Sequence, residues 1–78
     1  MIDERVLEIL EDVLGVAPEE VTEETSAADV DRWDSLHHLR LITAIEDELG
    51  ISFTMEEVES LKNVGDLNRL VRDKVNVD

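Results

Sequence analysis

The chain has 78 residues, no cysteine, and 21 acids against 7 lysines and arginines, for a formal net charge of −14. A surface of that sign repels phosphate backbones, which disfavours nucleic-acid binding, and speeds encounter with proteins that carry basic patches. The length allows one small domain, 1–78, and with no disulfide available helix packing has to stabilise it. No apolar run approaches the length of a membrane span. The opening "MIDERVLEIL" has no basic region ahead of an apolar block, so no signal peptide is expected. Cytoplasmic placement is the expectation, and the lack of cysteine agrees with a reducing compartment.

The segment "IDERVLEILEDVLG" predicts a first helix over about residues 2–14. At about 100° per residue, Ile2, Val6, Ile9, Leu10, Val13 and Leu14 share one arc, and Glu4, Glu8, Glu11 and Asp12 lie opposite. Gly15 is the expected stop. Residues 15–34 form a long connection with the only proline, Pro18, and a single turn at "PEEV". So long a loop in so small a domain is functional or packed by its own side chains. Val16, Val21, Ala28 and Val30 are the apolar candidates for holding it. The charge is concentrated here: residues 1–34 hold 12 acids and 2 bases, and residues 35–78 hold 9 acids and 5 bases.

A second helix is expected from about Ser35 to Leu49, ending at Gly50. A short third helix follows in "TMEEVESLK", with Thr54 as cap and Glu57 completing the capping box. Asn63 begins the last helix, in which Leu67, Leu70, Val71 and Val75 share a face. Three longer helices, one short third helix and no strand alternation predict an all-α fold, a small four-helix bundle with a long first loop.

The second helix carries an anomaly. Leu39, Leu41, Ile42, Ile45 and Leu49 make an apolar stripe roughly 160° wide. Leu36 lies about 60° beyond its edge, beside Arg40, Thr43 and Asp47 on the solvent side. An exposed leucine directly after a serine that starts a helix is a candidate docking knob. Ser35 itself has an ordinary reading as a helix cap.

Other chemistry fits poorly. Asp34, Ser35 and His38 have the residue types of a nucleophile and base, but nothing resembles a nucleophile elbow and little chain is left for a substrate pocket. Asp29 and Asp31 start like a calcium loop, yet its sixth position is Asp34 and its twelfth is Arg40. His37 and His38 are adjacent, so a helix points them about 100° apart and they cannot chelate one metal together. His38 falls in the apolar stripe as a half-buried packing residue; His37 is expected at the surface.

The stretch "WDSLHHLRLITAIEDELGISF" resembles the prosthetic-group segment of acyl carrier proteins: D-S-L at a helix start, an apolar helix ending in acids, a glycine, then a β-branched and aromatic run. The acidic first helix, the long loop, the short third helix and the closing "VGDLNRLV" occur in that family in the same order. The resemblance implies a non-catalytic carrier whose Ser35 receives 4′-phosphopantetheine from coenzyme A through a separate magnesium-dependent transferase. The arm's thiol would hold acyl or aminoacyl groups as thioesters. It also implies partner recognition through Asp34, Leu36, His37, Arg40, Glu46 and Asp47, with a phosphopantetheinyl transferase and acyl- or aminoacyl-loading enzymes as partners of a monomer. Carriers of fatty acid synthesis usually have acids where this chain has His37 and Arg40. The "RWDSL" form with His38 is more similar to stand-alone carriers of specialised pathways such as polyketide, nonribosomal peptide or surface-polysaccharide modification. The alternative from another class is a small acidic helical adaptor without a prosthetic group, in which Ser35 only caps a helix.

Overall fold

Asp3 opens the first helix by accepting a hydrogen bond from the N–H of Arg5, and α1 (Glu4–Leu14) runs from there to Gly15 in the computed structural model, which describes residues 2–75. Val6, Ile9, Leu10 and Leu14 are buried, and Ile2 and Val13 flank them half-buried, so the expected arc is the core face. Gly15 adopts a left-handed conformation and returns its N–H to Glu11 C=O. That geometry satisfies an orphan carbonyl at the helix end and suits a residue without a Cβ.

The long connection contains a 3₁₀ turn at Pro18–Glu20. Val16, Val21 and Val30 pack half-buried against the core. Ala28 does not; it is exposed. Its place as anchor is taken by Trp33, only 6% exposed, which offers far more apolar surface than a methyl group. The loop is also tied by its backbone. Val64 N–H donates to Thr25 C=O and Gly65 N–H to Glu23 C=O, both at 2.8 Å. These are first-turn N–H groups with no partner inside their own helix, so the loop's carbonyls meet a need that the helix creates.

After the loop, α2 (Ser35–Leu49) buries Leu41, Ile42 and Ile45, half-buries Leu49 and ends at a left-handed Gly50. The apolar stripe is narrower than expected: Leu39, at its edge nearest Leu36, is 50% exposed. The short α3 (Met55–Ser60) has the expected capping box, with Thr54 Oγ1 accepting from Glu57 N–H at 3.1 Å and Glu57 accepting from Thr54 N–H at 2.8 Å. Asn63 Oδ1 accepts from Asp66 N–H at 2.8 Å and so caps α4 (Val64–Val75). On α4, Leu67 and Val71 are fully buried, Leu70 is half-buried and Val75 lies at the exposed edge.

Polar contacts help to fix the helices relative to one another. Asn68 of α4 is 4% exposed and its Oδ1 accepts from Asp3 N–H at 2.9 Å, joining α4 to the start of α1. Lys74 of α4 pairs with Glu57 of α3 at 3.0 Å and lies over the Phe53 ring. Glu46 of α2 accepts from Phe53 N–H at 2.8 Å, bracing the turn into α3. Every regular element among the described residues is helical.

Candidate functional site

The chain enters α2 through a tight turn in which Trp33 N–H bonds Val30 C=O at 3.0 Å and Asp34 N–H bonds Arg32 C=O at 2.9 Å. Trp33 points into the core, which fixes the direction in which the next residue leaves. Asp34, not Ser35, is the cap. Its Oδ1 accepts from His37 N–H at 2.9 Å, and the same oxygen is 2.9 Å from His37 Nδ1. The backbone N–H of His37, helped by the His37 ring, holds the Asp34 carboxyl below its ordinary range. His37 is therefore half-buried and turned back onto the cap, where the sequence placed it at the surface.

Ser35 is left with a different task. It is the first residue of α2, its side chain is exposed, and its hydroxyl makes no hydrogen bond to another described residue. It stands where the aligned peptide dipoles favour negative charge, so an ester-linked phosphate there meets a helix start suited to it. Beside it lies an open cleft of about 340 Å³, walled by Trp33, Asp34, Ser35 and His38 on one side and by Val58 and Lys62 among others on the other. A hydroxyl that is exposed, unencumbered and next to open space fits a covalent attachment post.

His38 is half-buried, as expected, and is fully engaged. Its Nδ1 accepts from Trp33 Nε1–H at 2.9 Å, and its Nε2 is 3.1 Å from Val58 C=O. With both nitrogens occupied it cannot serve Ser35 as a general base, which removes the nucleophile reading on geometric grounds. No group of three His, Cys, Asp or Glu side chains among the described residues is disposed to hold a metal ion.

The other expected recognition residues separate into two sets. Leu36 is 56% exposed and, with Leu39, Arg40, Thr43, Ala44 and Asp47, lines a shallow groove on the outer face of α2. Glu46 does not join them; one of its carboxylate oxygens is committed to Phe53 N–H, and the residue is half-buried. Sequence reasoning missed Leu39 and Trp33. The first was hidden by assuming that every leucine at the stripe's edge is covered. The second had a usable signal, a tryptophan directly before the cap and five residues before a histidine in an apolar stripe. No helix among the described residues is long and apolar enough to cross a membrane.

The family model described as a phosphopantetheine attachment site matches residues 4–71. The chain is 42% identical over 72 residues to the acyl carrier protein of Thermosynechococcus vestitus, covering 92% of this chain and 89% of that one. It is 39% identical over 75 residues to the acyl carrier protein of Petrotoga mobilis, covering 96% of this chain and 88% of the relative. Among solved structures, the holo acyl carrier protein of Geobacter metallireducens, determined by solution NMR, superposes with a TM-score of 0.84 at 42% identity, covering 92% and 83% of the two chains.

Proposed function

The chain belongs to the acyl carrier protein family, and from that premise we propose that Ser35 is the hydroxyl on which it carries covalent 4′-phosphopantetheine. The observation that carries the assignment is the division of labour at the start of α2: Asp34 caps the helix and Ser35 Oγ is left exposed and unbonded among the described residues. Other serines are less suited. Ser26 Oγ donates to Asp29 and Ser60 Oγ to Glu57 C=O, and Ser52 is exposed but lies in the connection after α2, not at a helix start. When attached, the group supplies a terminal thiol that holds acyl or aminoacyl cargo as a thioester.

Members of the family are carriers, not catalysts, and a helical adaptor without a prosthetic group is not the reading the comparisons favour. In this reading the chain works as a cytoplasmic monomer with a phosphopantetheinyl transferase and with acyl- or aminoacyl-loading enzymes. Asp34 and Leu36 flank Ser35 where the transferase must approach. The exposed Arg40, between Leu36 and Asp47 on α2, supports partners from a specialised biosynthetic pathway whose docking patch is apolar or mixed in charge. A strongly basic patch would meet Arg40 as a like charge.

The test is intact mass. Incubation of the purified chain with coenzyme A, magnesium and a broad-specificity transferase should add one arm, and Ser35→Ala should add none. A wild-type protein left unmodified by several transferases would overturn the proposal, as would modification that persists in Ser35→Ala.

A further inference from the structure

Trp33 is buried directly before the cap of α2, and its indole N–H donates to His38 Nδ1 at 2.9 Å. An indole N–H is only ever a donor, so Nδ1 must be the bare nitrogen of the ring and Nε2 must carry the proton. Nε2–H then donates to Val58 C=O at 3.1 Å. That carbonyl lies near the end of α3, where carbonyls lack helical partners; the N–H that would have met it, that of Lys62, goes to Asp66 Oδ2 at 3.2 Å. The two rings are stacked, with centroids 6.1 Å apart and planes 28° from parallel. One neutral imidazole thus joins the loop, α2 and α3 along the walls of the cleft beside Ser35.

We propose that this bridge is a proton-operated clasp on that cleft, with His38 as the positioning residue: neutral, it holds the Trp33 wall to the α3 wall, and protonated, it lets go of Trp33. A proton on Nδ1 sets one N–H against another across 2.9 Å, an arrangement with two donors and no acceptor. The bond to Val58 survives, because Nε2 is a donor in both states. Release is therefore one-sided: the tryptophan leaves and α3 stays. The ionisable groups that share the cleft are Asp34 from the loop side and Glu59 and Lys62 from the α3 side, with His37 adjacent on α2. Asp34 is turned to His37, and no described contact brings Glu59 to His38, so neither carboxylate replaces Trp33 as the partner of Nδ1. The consequence for cargo rests on Ser35 being the attachment residue; the clasp itself does not.

Trp33 is the only tryptophan, so its fluorescence reports the clasp without ambiguity. The experiment takes the full, unmodified chain from about pH 8 to about pH 5, the range over which imidazoles change charge. The population with Trp33 released should rise by about tenfold, the shift that the loss of one hydrogen bond brings, and be read as a red-shifted emission and stronger acrylamide quenching. His38→Gln keeps a donor and an acceptor but cannot gain a proton, so its profile should be flat; His37→Gln should keep the wild-type profile. A flat wild-type profile, a profile kept by His38→Gln or one lost in His37→Gln would overturn the clasp. Should His38→Gln fail to fold, NMR of the wild type decides: the Trp33 indole signal must move with the His38 ring protons, and movement with those of His37 overturns it. Because the readouts use the unmodified protein, failure of the clasp leaves the mass experiment on Ser35 untouched, and the reverse also holds.

Discussion

Replacing Gly65 by alanine sets helix propensity against the anchoring of the long loop. Gly65 is the second residue of α4 and its N–H bonds Glu23 C=O at 2.8 Å. A Cβ built there would lie 3.0 Å from both Glu23 Cβ and Glu23 O and 3.3 Å from Asn63 Oδ1. Carbon contacts are comfortable at about 3.5–4.0 Å, and the Glu23 oxygen is backbone, so only movement of the loop can relieve the contact. That movement stretches the Gly65–Glu23 bond and its neighbour from Val64 to Thr25, each 2.8 Å now. Alanine gains about 1 kcal/mol as a helix former. Overpacking costs about 1–3 kcal/mol, and each of two loosened hydrogen bonds about 0.5–1.5 kcal/mol. The losses win by about 3 kcal/mol, which for a domain of this size lowers the melting temperature by roughly 12–24 °C. Thermal melts followed by circular dichroism measure it. A Gly65→Ala protein that melts at or above the wild-type temperature would refute the reasoning, because it would mean that the loop yields freely and α4 does not anchor it.

Two further outcomes follow from the charges. Asp3, Asp34 and Glu57 all sit at helix starts with carboxyls below their ordinary range, through the Arg5 side chain, the His37 N–H and the Thr54 N–H respectively. Groups with lowered folded values contribute stability that is present above about pH 4 and is lost as pH falls through those lower values. Acid melts should therefore show a falling limb below about pH 4; Asp34→Asn, which keeps a capping oxygen without the charge, should flatten part of it, and an unchanged limb would rule Asp34 out as a contributor. On α2, Arg40→Glu should raise kcat/KM for loading by enzymes with basic docking patches by roughly tenfold and impair the native partner, leaving arm addition unchanged; no change with either enzyme would remove charge at this position as a determinant of partner choice. Arg40 is altered alone because His37 is bonded to the cap, and an aspartate there would face Asp34 at close range.

The helices were legible because each is written in local rules. Thr54 and Glu57 form the capping box, Asn63 begins the last helix, Gly15 and Gly50 stop theirs, and the periodicity of α1 identifies its buried face without knowledge of the partner helices. The width of the α2 stripe was not legible in the same way. Whether Leu39 is covered depends on how far the neighbouring elements extend over α2, and that is a property of the assembled bundle. The loop is a similar case. Its tie to α4 runs through the carbonyls of Glu23 and Thr25, backbone groups that every residue has, so no side-chain pattern announces them. Glu46 has the residue type of an exposed acid, and only the return of the chain at Phe53 shows that its carboxylate is needed inside.

The order of aspartate and serine at the start of α2 matters for the same physical reason. A capping side chain must offer an oxygen to an N–H two or three residues on, and that oxygen is then turned inward and occupied. Had serine held the cap, its hydroxyl would face the helix end. Placing aspartate at the cap uses a side chain that accepts from His37 N–H and tolerates exposure, and moves serine one residue into the helix, where its hydroxyl faces outward beside the cleft. The buried Trp33 completes the arrangement from the other side, since it fixes the backbone immediately before the cap. Ser35 is thus held by neighbours on both sides while contributing no hydroxyl bond to hold itself among the described residues, which leaves its oxygen exposed without loosening the fold.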